Sequence, residues 1–380
     1  MNGSRLAGVA ILLAGQLLYA GQGRADSWQQ VLTSRIATEH DSNPAMSATN
    51  KSGVWRALFE PSYALTGRAG ESEITAGAAL QMVRSSDKTL SPSRDNPSVF
   101  LNWLRPSEAG EFGISSRYAQ AATRDAGGVD ATGRVSAAST SKTRTLSGRW
   151  SKELSERSTL SADTAYNGVT YNGGIYTDYS TRSGGLKISY LSSEQITSFC
   201  SVTGNKYMPA NSGPSSGLAG SALVESTLAN ATLGMDWRGE YMVWTVQAGK
   251  ARASGSNSET LGSVVAHYTG QQTQLTMNAG RTIIASGLGG FMKSNQVLVN
   301  WSYALSDYST TGIDLGRQKN LSSTIGPDTL TSLGAWLDHD LTSAWKVRTY
   351  YQHRTSQGGG TESVSSDLVG LSFAYSYSDF

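Results

Sequence analysis

From residue 26 onward the chain repeats one pattern: bulky apolar residues on every second position, with small or polar residues between them. The last segment shows it most clearly. Val369, Leu371, Phe373, Tyr375 and Tyr377 alternate with Gly370, Ser372, Ala374 and Ser376. Successive side chains of a strand point to opposite faces, so such a strand has one bulky apolar face and one small polar face. That composition suits a strand with lipid on one side and a wet lumen on the other better than a strand buried in a core.

The same alternation recurs at 28–39, 54–65, 74–83, 99–104, 112–120, 142–151, 160–170, 179–190 and 195–202. It continues at 229–237, 241–251, 261–269, 273–283, 297–305, 310–317, 331–341, 345–353 and 368–377. Most segments match the ~9–11 residues that a tilted strand needs to cross a bilayer. The expectation is an all-β, transmembrane antiparallel β-barrel of about 18 strands, an even number within the known range. Connection lengths alternate too. Very short links near Arg68, Ser107, Ser155, Ser192, Gly239, Gly270, Asp307 and Ser343 alternate with longer polar stretches such as SSDKTLSPSRDN and QKNLSSTIGPD. Short periplasmic turns and long outer loops have this asymmetry, which puts both termini on the periplasmic side. Trp28, Trp103, Trp150, Trp237 and Trp345 fall at the short-link ends, where an aromatic girdle belongs, whereas Trp336 sits mid-strand and breaks the phase. Of the eight prolines, Pro61 is expected to be the only one inside a strand.

The first 25 residues read as a cleavable secretory signal: Arg5, an apolar run over 6–20, and a Gly23-x-Ala25 ending. The run is shorter than the ~20 apolar residues that a helical span needs. This divides the chain into a signal peptide, 1–25, and a barrel domain, 26–380. Removing the signal leaves 29 basic residues against 29 acidic, which gives no basic patch for nucleic acid. The mature part has no long apolar run, so a membrane protein of this sequence has to close its backbone hydrogen bonds as a barrel. A secreted sandwich or solenoid fits the composition as well. The single cysteine, Cys200, excludes an intramolecular disulfide and is expected to be a small lipid-facing or packed residue.

Taking the more polar side as the lumen face selects Arg35, Arg56, Arg117, Arg149, Lys187, Lys346 and Arg348 against Glu60, Asp163, Asp236 and Asp314. Gln81, Asn167, Gln247, Asn278, Asn300 and Gln352 lie on the same face. A lumen with more cations than anions attracts anionic solutes, and guanidinium groups hold carboxylates through paired hydrogen bonds. Mutual neutralisation across an ordinary wet lumen fits the same residues. About eighteen strands leave room for an aqueous channel. No enzymatic constellation, metal site or cofactor motif stands out. His40, His267, His339 and His353 are dispersed, and His339 between Asp338 and Asp340 reads as a solvated turn end. An outer-membrane hydrolase with Ser and His on the barrel exterior is the third functional reading.

Glu39, Asp41 and Asn43 alternate in ATEHDSNPAMS, where three oxygen-bearing side chains could hold a cation or sugar but are expected to be a solvated strand end. Two resemblances follow from these residues. The final alternating strand ending on Phe380 resembles the C-terminal strand of bacterial outer-membrane β-barrels, although Phe380 itself is out of phase. An acidic D-x-N-P-like end to the first strand, followed by many short alternating strands, resembles the β-barrel porin family associated with exopolysaccharide secretion. That resemblance implies an outer-membrane channel for export of a secreted polysaccharide. A diffusion porin for small, anionic solutes is the alternative. The implied partners are outer-membrane lipid and lipopolysaccharide, the β-barrel assembly machinery, a periplasmic polysaccharide export or co-polymerase protein, and the polysaccharide itself.

Overall fold

The computed structural model describes residues 27–49, 51–123, 139–172, 176–210, 225–255, 257–322, 326–358 and 362–379. The expected signal segment and Phe380 lie outside these residues. The strands are β1 (Ser27–Asp41), β2 (Val54–Ala69), β3 (Ser72–Ser85), β4 (Arg94–Ser107), β5 (Gly110–Ala122) and β6 (Thr140–Ser155). Next come β7 (Ser158–Asn172), β8 (Tyr179–Ser193), β9 (Ile196–Pro209), β10 (Ser226–Arg238), β11 (Met242–Ala253) and β12 (Ser258–Thr269). The last six are β13 (Thr273–Ala285), β14 (Phe291–Ser306), β15 (Ser309–Ser322), β16 (Gly326–Asp340), β17 (Trp345–Gln357) and β18 (Val364–Asp379). Each pairs antiparallel with its sequence neighbour, and β1 pairs with β18, so the 18-stranded sheet is a closed barrel. Closure leaves no edge strand and satisfies the backbone ladder internally, as lipid requires.

Alternation decides which face is which. On β18, Val369, Leu371 and Phe373 are exposed at 55%, 40% and 43%, while Leu368, Gly370 and Ser372 between them are buried. Residues directly opposite in an antiparallel pair share a face, so the register carries this assignment around the barrel. The exterior presents Ile36, Leu186, Ile188, Leu233 and Leu337, all exposed, which is a surface for lipid rather than water. The inner face holds the small core: Ala37, Leu58 and Val83, opposite one another on β1–β3, and Val169, Tyr179 and Tyr207 on β7–β9.

The short connections fall where the sequence places them, and the strands are longer than the alternation suggests. The segment read as 99–104 is the 14-residue β4. The ends of such strands reach beyond the apolar band, where polar residues pair as strand without an alternating signature. Within the connection expected at QKNLSSTIGPD, β15 runs on to Ser322 and β16 begins at Gly326 for this reason. Pro61 is also not the only proline inside a strand: Pro97 and Pro106 lie in β4, Pro209 ends β9 and Pro327 lies in β16. Where Pro61 lacks its N–H, the β2–β3 ladder skips from Phe59↔Met82 to Ser62↔Ala79. Seven tryptophans (Trp28, Trp103, Trp150, Trp237, Trp244, Trp301 and Trp345) take outward positions toward the short-turn end. Trp55 faces outward at the other end, and Trp336 faces inward.

Candidate functional site

All eleven charged residues read as lumen-facing occupy inner-face positions: Arg35 on β1, Arg56 and Glu60 on β2, Arg117 on β5, Arg149 on β6, Asp163 on β7, Lys187 on β8, Asp236 on β10, Asp314 on β15, and Lys346 and Arg348 on β17. Five of them gather on one wall. Arg35, Arg56, Asp314 and Arg348 line a cleft of about 310 Å³ together with Gln81, Trp336, Tyr350, Gln352 and Arg354. Glu60, the fifth, stands directly opposite Arg35. The other six are apart: Arg117, Arg149, Asp163 and Lys187 on β5–β8, Asp236 beside Thr245 Oγ1 at 2.6 Å, and Lys346 near the short-turn end, 3.3 Å from Asp340.

The cleft is built by pairs in which a carboxylate sits behind and a guanidinium stands in front. Arg348 donates to both oxygens of Asp338, Nε to Oδ1 at 2.5 Å and Nη2 to Oδ2 at 2.7 Å. The Arg348 side chain is 42% exposed and that of Asp338 only 10%. The Trp336 ring lies under the guanidinium, 4.6 Å from Cζ to its centroid, and packs over Gly312, where no Cβ would fit. This explains the phase break: Trp336 is a lumen residue that supports Arg348 rather than a lipid anchor. Arg35 donates to Glu60 at 2.7 Å, Gln81 donates to the other Glu60 oxygen at 2.5 Å, and Asn96 donates to Gln81 at 3.0 Å. The two-point pairing of Arg348 with Asp338 fixes its guanidinium plane, whereas Arg35 is held to Glu60 through one N–H.

Glu39, Asp41, Asp328, Asp338 and Asp340 also take inner-face positions, and together with the four acids singled out in the sequence they outnumber the seven cations singled out with those four. What is local is a concentration of guanidinium groups, three of them already paired with Glu60, Glu39 and Asp338. Arg35, Arg56, Arg348 and Arg354 line the cleft against Glu39 and Asp314, and Glu39 is itself buried on Arg56. Arg354 lies one residue beyond the alternating segment expected to end at His353, and β17 runs on through it to Gln357. Tyr350 carries no polar signature in the sequence that separates it from the outward tyrosines, and only the register opposite Trp336 and Gly370 places it inside.

Glu39, Asp41 and Asn43 are not a solvated strand end. They are 6%, 0% and 1% exposed and clasp the seam where β1 meets β18. Arg56 reaches Glu39 at 2.5 Å and Asp41 at 3.7 Å, and Ser366 donates to Asp41 at 2.5 Å. Asn43 donates to the carbonyls of Ser47 and Ser365, both at 3.0 Å. Their alternate spacing is that of a strand whose inner face is covered, so their oxygens are taken by the protein and not free for a ligand.

On the opposite wall, near the long-loop end, Tyr179 stacks on Tyr207 at 5.2 Å and Phe291 meets Tyr207 edge-on at 6.0 Å. The connection between β13 and β14 lies against them. Tyr207 donates its hydroxyl to the Ser286 carbonyl at 3.2 Å, and Thr177 N–H donates to the Gly287 carbonyl at 2.7 Å. The 286–290 segment therefore narrows one side of the mouth.

Asp338 also corrects the reading of His339 and its neighbours as a turn end, because it is buried on Arg348. His339 faces outward with Nδ1 2.9 Å from Ser309 Oγ, and no carboxylate is paired with it among the described residues. His353, also outward, lies 2.8 Å from Asp367. No group of three His, Cys, Asp or Glu among the described residues could hold a metal ion. Cys200 is exposed on the outer face between Phe199 and Ser201.

No family model and no curated protein sequence matches the chain. Solved structures do. Pseudomonas aeruginosa OccK2 (OpdF), in complex with glucuronate, matches with a TM-score of 0.53 at 12% identity, covering 94% of this chain and 100% of that one. The outer membrane protein opdK of Pseudomonas aeruginosa matches at 0.51 and 9% identity, with the same coverage. Acinetobacter baumannii OccAB4 matches at 0.50 and 10%, again over 94% and 100%. None of these neighbours supports an association with exopolysaccharide. At such identities the likeness is one of fold, and with its closed apolar exterior this chain is an outer-membrane β-barrel.

Proposed function

We propose that this chain is a diffusion channel for small solutes that carry a carboxylate. The observation that carries the reading is the cleft on the inner wall, where Arg35, Arg348 and Arg354 present guanidinium groups. Arg35 and Arg348 are held from behind by Glu60 and Asp338. A guanidinium fixed in plane matches a carboxylate bidentately, and Gln352 and Tyr350 beside it offer partners for hydroxyls. An 18-strand barrel is wide enough to conduct water-borne solutes. OccK2, which shares the fold, was solved with glucuronate, a small sugar acid. The polysaccharide-export reading has no comparable support.

We infer in addition that the short-turn end and both termini face the periplasm, since the tryptophans cluster there and the longer connections lie opposite. Proteoliposome swelling tests the transport reading. Glucuronate is expected to enter at least as fast as glucose and faster than cationic glucosamine; faster entry of glucosamine contradicts it. Orientation is read by labelling intact cells with an impermeant maleimide in a Cys200→Ser background. Thr89→Cys, in the β3–β4 connection, should label, and Arg157→Cys, in the β6–β7 turn, should not.

A further inference from the structure

The outer faces of β8–β11 carry a feature that solute passage does not use. Arg182 on β8 stands directly opposite Lys206 on β9. Arg252 on β11 stands opposite Ala229, one outward position further from the long-loop end than Thr227, the β10 partner of Lys206. All three side chains are exposed on the lipid side, in the half of the barrel nearer the long loops. Like charges directly opposite in a sheet repel. Glu225 offsets one of them, 2.6 Å from Lys206. Arg182, Arg252 and the neighbouring Lys250 have no ion-pair partner among the described residues. At two other places on this face the protein supplies the partner itself: Arg84 is paired with Asp95 at 2.7 Å, and Arg281 donates to Asn295 at 2.8 Å.

The three cations line a cleft of about 550 Å³. An apolar trough of about 780 Å³ runs on from it toward the middle of the barrel wall. Its floor is Gly184 and Gly204, directly opposite each other, with Ala229 and Ala231 beside them. A Cβ at Gly204 would meet nothing within 4 Å, so the floor is a step down in the surface. Leu186 and Val202, 53% and 50% exposed, stand beyond it, and Lys250 and Arg252 form the far wall.

We propose that this surface binds one phosphorylated, acylated lipid of the outer leaflet, with phosphate between Arg182, Lys206 and Arg252 and an acyl chain in the trough. The charge pattern asks for an anion, and a lipid-facing surface receives its anions from lipid headgroups. The trough selects a lipid over a free anion. The proposal rests on the long-loop end lying in the outer leaflet and is independent of which solute passes through the lumen.

The test is native mass spectrometry of the full-length barrel in detergent, titrated with lipid A, with inorganic pyrophosphate as the headgroup-only probe. Wild type is expected to retain one lipid A, and Arg182→Gln/Arg252→Gln to weaken retention roughly tenfold or more. Gly204→Leu, which fills the trough, should weaken it as well, while the control Arg281→Gln should not. Retained heat-modifiable migration on gels shows that each variant is folded. Equal retention by wild type and the Arg182/Arg252 variant overturns the proposal. So does pyrophosphate competing away lipid A from wild type as well as from Gly204→Leu, which would mark a simple anion site. Glucuronate uptake is a separate readout, so failure here leaves the transport reading standing.

Discussion

The hydroxyl of Tyr350 on β17 donates to Glu39 on β1 at 2.9 Å, spanning the strand that lies between them, β18. These residues are 311 apart in sequence, and their contact lies beside the junction of the first and last strands. Glu39 in turn receives Arg56, whose side chain is 4% exposed. Removing Glu39 leaves a buried guanidinium short of its closest carboxylate, so Glu39→Ala should cost on the order of 3 kcal/mol. Tyr350→Phe, which deletes one hydrogen bond, should cost about 1 kcal/mol. Urea unfolding in lipid vesicles, followed by tryptophan emission, ranks the two, and a larger loss for Tyr350→Phe would contradict this account of the seam.

Gly370 is required where Tyr350 crosses it. A Cβ there would lie 2.2 Å from Tyr350 Cζ, so the ring occupies the space that a side chain would fill. Gly370→Ala should destabilise by about 1–3 kcal/mol through overpacking. In a Tyr350→Ala background the same change should cost almost nothing, because the obstacle is gone. Equal penalties in both backgrounds would show that backbone conformation, not the ring, demands glycine.

Leu371 lies near the middle of β18, exposed on the apolar side. Leu371→Arg should cost about 2–4 kcal/mol of stability in the bilayer, whereas Gln247→Arg on the inner face should fold normally and alter selectivity. Folding yields into vesicles, read by gel migration without heating, check the contrast.

At the mouth, Tyr207→Ala removes the residue on which Tyr179 and Phe291 pack and the donor to the Ser286 carbonyl. The 286–290 segment should then loosen, and single-channel conductance should rise or become noisy. An unchanged, quiet conductance would show that this segment does not limit flow.

The barrel was legible in the sequence because a lipid-facing strand must alternate wherever it crosses the apolar layer, and Val369 to Tyr377 does so without interruption. The site was legible only in part. The phase identified Arg35 and Arg348 as inner-face residues, since charge on a lipid face is costly. It could not show that Asp338 pairs with Arg348, because the register that sets Asp338 opposite Arg348 is a property of two strands together. Trp336 looked anomalous for a related reason: an aromatic on the inner face is permitted only because Gly312, on the neighbouring strand, makes room for it. Glu39 and Asp41 were misjudged because burial at a seam depends on β18, which lies more than 300 residues away.

The central claim is that the guanidinium cleft of Arg35 and Arg348 sets which solutes pass. The most direct test is the reversal potential of the reconstituted channel in a potassium glucuronate gradient, for wild type and for Arg35→Gln/Arg348→Gln. Wild type should show a potential of the sign that marks preferential glucuronate passage, and the double variant should move toward potassium preference. A potassium-preferring wild type, or a potential that the double substitution leaves unchanged, would contradict the account.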